Sequence, residues 1–424
     1  MPWKFLVLMM SLSGCVYTEL PEEAPTENNL VGSVPDEFDD QTAGEFLLGQ
    51  FTFEREWSPE EVGPVFNASS CAECHVGAGR AAVASVGLLF RLSAAPESDE
   101  PEPMYGSQLQ PRGLRNAPGE GRVIVTHEDV VGAYDDGTPY VLRRPRYQVV
   151  ELGYGPVSDT MVMSPRLAQQ LPGLGLLEAI DAAEILALTD PQDLDGDGIS
   201  GRANVVFDAV TGREALGRFG WKAGQPSLRQ QNAAAFAGDL GMTSTLFGDG
   251  PCTADQTACW DAMFDPGDEL SDSDLDAVTR FTQLLMPAAA PDLPEHPGYT
   301  IFNEVGCASC HVEKWTTSAH EVAELSGQVI RPFTDLLLHD MGEDLADHRP
   351  EGVANGLEWR TPPLWGIGSL VGLNGHQDLM HDGRAKNVEE AILWHGGEGA
   401  AAAEAFKALA ASDRARLLAF VNVL

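Results

Sequence analysis

Two stretches of the chain place a pair of cysteines three apart with a histidine directly behind: Cys71-Ala-Glu-Cys74-His75 and Cys307-Ala-Ser-Cys310-His311. The chemistry that needs this spelling is covalent attachment of a c-type haem. Two thiols add to the porphyrin vinyl groups, and the adjacent imidazole ligates the iron. Half of a zinc site is the competing use of the same residues. From the Cys and His frequencies, one chance match is expected on the order of ~0.003 times in such a chain, so the repeat argues against coincidence. The sequence therefore predicts two covalently bound haems c, with His75 and His311 as fifth ligands.

Covalent haem attachment takes place outside the cytoplasm, and the N-terminus reads as an export signal. Lys4 precedes the apolar run Phe5 to Met10, which falls far short of the about 20 residues that a membrane span needs. Leu12-Ser13-Gly14-Cys15 follows and resembles a bacterial lipobox. Residues 1–14 are expected to be a lipoprotein signal peptide and Cys15 the lipidated residue, the alternative being a signal peptide that merely contains a cysteine. Val16 after the cysteine favours the outer membrane, with the protein facing the periplasm or the cell surface. Residues 15–44, acidic and Pro-rich, are expected to form a flexible tether. Cys252 and Cys259 remain, and in an oxidising compartment they are expected to pair as a disulfide, two buried free thiols being the alternative.

The elements that must position the motifs follow from length and pattern. A chain of 424 residues allows two domains plus a tail, expected as a first haem domain over 45–293 and a second over 294–424. Helical spacing dominates. Asp181 can cap a helix carrying Ile185, Leu186 and Leu188. Ser271 or Asp272 opens another with Leu275, Val278, Phe281, Leu284 and Leu285 on one face, and Ser412 can cap a third. "YVLRRPRYQVVELGYG" is more strand-like. The expected fold class is mainly α, two cytochrome c-like domains with long inserted loops and minor β. Two Pro/Arg turns that run into Gly-rich apolar segments, one from Ser164 and one from Arg360, echo each other across the halves.

The net charge of −38, from 26 basic and 64 acidic side chains, excludes nucleic acid and an anionic membrane surface as partners and leaves membrane contact to the lipid anchor. It favours a small basic electron donor, a cytochrome or a cupredoxin.

"RTPPLWGIG" and "MHDGRAKNVEEAILWHGGE" resemble the second domain of bacterial di-haem cytochrome c peroxidases. "GLGLLEAI", "DGDGISGRAN", "LGRFGWKA", "FTDLLLHDMG" and "ILWHGG" more closely resemble the di-haem oxidoreductase family once labelled thiol oxidoreductases, over most of the chain from about residue 45. The resemblance implies that the C-terminal haem takes electrons from a donor and passes them to the N-terminal haem, where a peroxide is reduced. It places the sixth ligand of the second haem fourteen residues after His381, at His395, where the peroxidases usually carry Met. Two imidazoles would lower the reduction potential. Met341 is the rival ligand, and a purely structural role for His395 is the bland reading. At the first haem the resemblance points to Gln231 to orient peroxide and to Asp239 or Glu178 to move a proton, following Trp221. Gln231 and Asp239 stand two residues closer together than the peroxidase pattern places its Gln and Glu, and capping or joining helices is their alternative use.

Arg360 and Arg384 are candidate haem-propionate partners, since guanidinium matches carboxylate bidentately; surface salt bridging is the alternative. Trp365 and Trp394 are candidates for the electron path or for packing. Asp193, Asp195 and Asp197, followed by Gly198 and the Ile199 carbonyl, match the first half of a calcium loop. Asn204 takes its twelfth position, and Asp208 could complete the shell. Relatives of the peroxidase type also bind calcium between domains. Two other activities stay open: electron transfer alone, and haem-based oxidation of an organic or sulfur substrate. No spare cysteine supports thiol exchange by the protein itself.

Overall fold

The computed structural model describes residues 34–35, 37–114, 116–263, 270–288 and 293–424. The signal peptide, Cys15 and most of the expected tether lie outside the described residues. The tether's last residues do not behave as a tether, because a helix spans Asp40–Glu54, capped by the Asp39 carboxylate on the Thr42 amide at 2.8 Å.

The expectation of a mainly α fold is wrong. The architecture is mixed α/β, with 30% of residues helical, 18% in strands, and six two-stranded sheets among the described residues. The largest departure is a hairpin of two twelve-residue strands, Arg122–Ala133 and Pro139–Val150, antiparallel with Val131 opposite Val141. Its first strand reads "RVIVTHEDVVGA" and is mostly exposed, so no buried apolar alternation marks it. The other strands are two to six residues long, and apart from the local hairpin of Val205–Asp208 with Arg213–Leu216 they pair with more distant segments, as when Leu88–Ser93 pairs with Val162–Leu167. Segments that short carry no legible period.

The helices follow local chemistry more closely. Ser271 caps Asp272–Leu284 through the Asp274 amide, and Leu275, Val278, Phe281, Leu284 and Leu285 are all buried. This helix packs against Asp40–Glu54 at Gly49, where a Cβ would stand 2.2 Å from the Ala277 carbonyl oxygen. Asp181 caps Ala182–Leu186, which buries Ile185 but ends too early to bury Leu186 or Leu188. The C-terminal helix, Ala411–Val421, starts one residue before Ser412 and has no side-chain cap.

Two main cores form, and each draws on both sides of residue 293. The first joins Phe46, Phe236 and Phe281 to Trp315, Ile330 and Trp365. The second joins Phe302, Phe406 and Phe420 to Tyr134, Leu142 and Trp221. The two echoing Pro/Arg segments meet directly: a Cβ on Gly173 (φ +87°) would stand 2.2 Å from the Trp365 ring. A buried ion network ties the same halves together. Lys222 Nζ lies 2.8 Å and Arg166 Nη2 3.0 Å from the Asp347 carboxylate. No helix among the described residues is long and apolar enough to cross a membrane.

Candidate functional site

Each Cys-x-x-Cys-His motif opens into a cavity. Cys71, Cys74 and His75 line the first, of about 200 Å³. Cys307, Cys310 and His311 line the second, of about 530 Å³. The motifs are held by their own first turns. Ser70 caps the helix Cys71–Cys74 through the Glu73 amide, and Glu73 is pinned by Arg112. The second motif forms a 3-10 turn, Cys307–Ser309, behind Gly306 at φ +89°. Trp221, Gln169, Gln170, Leu174 and Arg360 line both cavities, so the two sites share a wall.

The four motif cysteines are free thiols, whereas Cys252 and Cys259 form a disulfide. Burial pushes the Cys71 and Cys307 thiols up to about 12, with the Asp239 charge adding to the shift at Cys71. Burial raises Cys74 and Cys310 as well. Zinc would need thiolates converging on one point. Among the described residues no metal-sized group of His, Cys, Asp or Glu contains both cysteines of either motif. Neutral thiols spaced along a cavity wall suit addition to a porphyrin edge.

The imidazoles are set for iron. His311 Nδ1 bonds the Phe333 carbonyl at 2.8 Å and His395 Nδ1 bonds the Ala391 carbonyl at 2.7 Å, which fixes the tautomers and leaves both Nε2 atoms as ligands. Both rings line the second cavity, and burial keeps both neutral, His311 at about 4. Met341 lines it too. His75 Nδ1 sits 3.3 Å from the Gly79 carbonyl, and burial lowers its basicity. Among the described residues no second histidine and no methionine lines the first cavity. Polar atoms are left over in these walls: Gln169 Nε2, Gln225 Oε1 and His381 Nε2 are buried without a hydrogen bond. The donors present therefore fit a haem in each cavity.

The sequence-derived residues divide. Gln231 and Asp239 both line the first cavity, from the helix Leu228–Asp239. Eight residues at about 1.5 Å each put them about 12 Å apart along the axis, so they cannot act on one bound oxygen as a pair. Asp239 accepts a hydrogen bond from Gln108 Nε2 at 2.8 Å, and burial raises its carboxyl despite that bond. Glu178 does not line the cavity. It accepts from the Leu228 amide at 2.7 Å and from Gln283 Nε2 at 2.8 Å, closing the N-terminus of that helix. Burial works to raise its carboxyl, but the His320, Leu228 and Gln283 hydrogen bonds outweigh it. Glu178 is an anchor, not a proton donor.

Arg360 is buried at the shared wall, whereas Arg384 lines neither cavity. Arg384 is committed to Asp382 at 2.8 Å and lies over the Trp394 ring, which removes it from the propionate role. Trp365 and Trp394 pack in the two cores and line neither cavity, whereas Trp221 lines both, its Nε1 donating to the Leu167 carbonyl at 2.8 Å. In the acidic loop, Asp190, missed in the sequence, brings a carboxylate within 4.8 Å of Asp193 and Asp195. Asp197 and Ile199 border the second cavity. Asn204 is excluded from that loop. Its amide donates to the Lys222 and Glu351 carbonyls at 2.7 and 2.9 Å and accepts from Val353. Asp208 is spent on the Val210–Thr211 turn. Sequence reasoning also missed His339, held between Asp335 at 2.8 Å and Glu398 at 2.6 Å beside Cys310. Both ring nitrogens face carboxylates. Burial opposes the charged ring, but these bonds raise it to about 12, making it an imidazolium.

This is the construction of a two-centre haem oxidoreductase. The family model "Di-haem oxidoreductase, putative peroxidase" matches residues 110–424, and the chain belongs to that family. No curated protein matches. Among solved structures, a chain of Kuenenia stuttgartiensis hydrazine synthase pressurized with xenon is similar over 96% of this chain and 100% of that one, at 15% identity and a TM-score of 0.31. A likeness that weak carries no argument here.

Proposed function

We propose that the protein is a di-haem c-type cytochrome oxidoreductase that reduces a peroxide at the N-terminal centre with electrons relayed through the C-terminal one. The observation that carries this is the inequality of the two cavities. The second is lined by His311 and His395, with His381 as a third ring whose Nδ1 bonds a carbonyl, at 3.0 Å, and whose Nε2 is unpartnered among the described residues. It thus offers more than one imidazole that would ligate a haem iron and suits an electron carrier. The first has one, His75, and its lining also includes the polar side chains of Gln231, Gln225 and Arg218. A c-haem supplies one-electron chemistry and, with an open position, a site for peroxide. Gln231 would hydrogen-bond a peroxide admitted to the first cavity, and Trp221 in the shared wall would shorten the path between centres. Each turnover takes two electrons and two protons and releases two waters from hydrogen peroxide.

The reading includes two covalent haems, a small basic cytochrome or cupredoxin as donor, drawn to a chain of net charge −38, and an outer-membrane lipid anchor at Cys15. It includes calcium in the Asp190, Asp193 and Asp195 loop. Calorimetric titration of calcium into wild type and D193N tests that component, and equal weak heats would remove it. The main test is stopped-flow spectroscopy of half-reduced, haem-loaded protein mixed with hydrogen peroxide. Fast stoichiometric reoxidation is expected. An unchanged ferrous spectrum would leave an electron conduit.

A further inference from the structure

Seven arginines are buried: Arg80, Arg166, Arg218, Arg349, Arg360, Arg384 and Arg414. Four of them, Arg166, Arg349, Arg384 and Arg414, make ion pairs within 4 Å. The other three make none among the described residues, in a chain with 64 acidic side chains. All three, Arg80, Arg218 and Arg360, line a cavity. A buried guanidinium with no carboxylate within 4 Å is costly and favours an anion beside it, and these three face cavities where one could sit. Arg218 lends one nitrogen to the Leu177, Glu178 and Ile180 carbonyls, which carry the negative end of a helix turn. Arg80 is the unexpected one.

Arg80 follows His75 by five residues, yet it lines the second cavity and not the first. Its Nε and Nη2 donate to the Asp378 and Met380 carbonyls, and its guanidinium lies 5.1 Å from the Trp221 ring. Met380 holds φ +66°, a conformation that a side-chain-bearing residue keeps only when its surroundings over-determine it. The acids closest in charge are taken: Asp378 pairs with Lys386 at 2.7 Å, and Asp382 with Arg384 at 2.8 Å. Arg80 Nη1 makes no hydrogen bond among the described residues. Burial pulls the group down to about 10, against the pull of Asp378 and Asp382.

We propose that Arg80, carried by the first attachment segment, binds a carboxylate of the group held in the second cavity and so fastens one centre's segment to the other centre. The assignment rests on the reading that the second cavity holds a haem, whose two propionates are the carboxylates of that site. Arg80 is a positioning residue here, fixing the cavity wall and the charge beside the second centre.

The test uses the full chain loaded with both haems, as wild type, Arg80→Gln and Arg80→Lys. Alkaline pyridine spectra count the haems, and potentiometry at several pH values reads each centre. R80Q is expected to keep two haems and to lower the second centre's reduction equilibrium constant about tenfold, about 59 mV for one electron. A new titration near neutral pH is expected as the released carboxylate protonates. A second centre whose potential and pH profile match wild type would overturn the assignment. If R80Q does not accumulate, R80K decides. A shift in the same direction but smaller supports the proposal, and identity with wild type in both readouts overturns it. One haem per wild-type chain would instead remove the di-haem reading beneath it.

Discussion

His311 and His395 line one cavity with their Nδ1 atoms on the carbonyls of Phe333 and Ala391, at 2.8 and 2.7 Å. The two rings come from segments more than eighty residues apart in sequence, but each is aimed by its own local backbone. A ring oriented this way would lose little entropy on coordinating a haem iron, which suits ligation by both imidazoles at this cavity.

Replacing His395 should therefore open the second centre. His395→Ala is expected to let the reduced second haem bind carbon monoxide, and His395→Met to raise its potential. Optical titration with carbon monoxide reads the first and potentiometry the second. Wild-type-like spectra in both variants would pass the ligand role to Met341.

The first cavity predicts unequal effects from three acids and amides that sequence reasoning grouped together. Gln231→Leu should cut peroxide turnover by about 10²-fold with both haems retained. Glu178→Gln should leave turnover per haem unchanged and cost about 1–3 kcal/mol of stability, because it weakens the acceptor of the Leu228 amide. Gln231 and Asp239, about 12 Å apart along their helix, should contribute independently, so that Q231L and D239N effects on turnover add as free energies. Strong coupling between them would mean that the helix places both at one substrate.

Glu120 supplies a pH test remote from either motif. It is fully buried, accepting from Gln256 Nε2 at 2.5 Å and from the Gln110 amide at 2.6 Å. Burial raises its carboxyl to about 8 against those bonds. The folded state holds this proton more tightly than the unfolded chain. The contribution is thus complete below the ordinary glutamate range and is lost as pH rises through about 8. Thermal unfolding of wild type should weaken between about pH 5 and 9, by an amount on the order of a few kcal/mol, more steeply than that of Glu120→Gln. Parallel profiles would show that Glu120 is ionised in the fold.

Part of the candidate site was legible because each Cys-x-x-Cys-His motif is spelled by neighbours in sequence, and each motif lines a cavity. Cys71 to His75 and Cys307 to His311 need no fold to be recognised. The helix from Asp272 was legible for a similar reason, since a cap and five apolar positions all lie within fifteen residues. What escaped depends on distant partners. The strand Leu88–Ser93 exists because Val162–Leu167 lies beside it. Arg384 reads as a propionate partner or a surface ion-pair member until the fold buries it against Asp382 with neither cavity beside it. Asn204 falls at the right offset for a calcium loop, but three backbone groups from other segments claim its amide. Arg80 carries no signal in sequence at all, for its meaning is the absence of a carboxylate that only three dimensions can show.

The shared wall also sets an order of events. His75 and Arg360 line the same first cavity across 285 positions of chain, 360 less 75. At about 5–20 residues per second, the polypeptide carrying His75 waits roughly a quarter of a minute to a minute before Arg360 is synthesised. Through that interval the first pair of thiols sits in an unfinished shell. The first cavity has all its lining residues once Arg360 is made, whereas the second still waits for His395 and Val421. A nascent chain stopped at residue 293 would hold its first motif complete and its first pocket without a side.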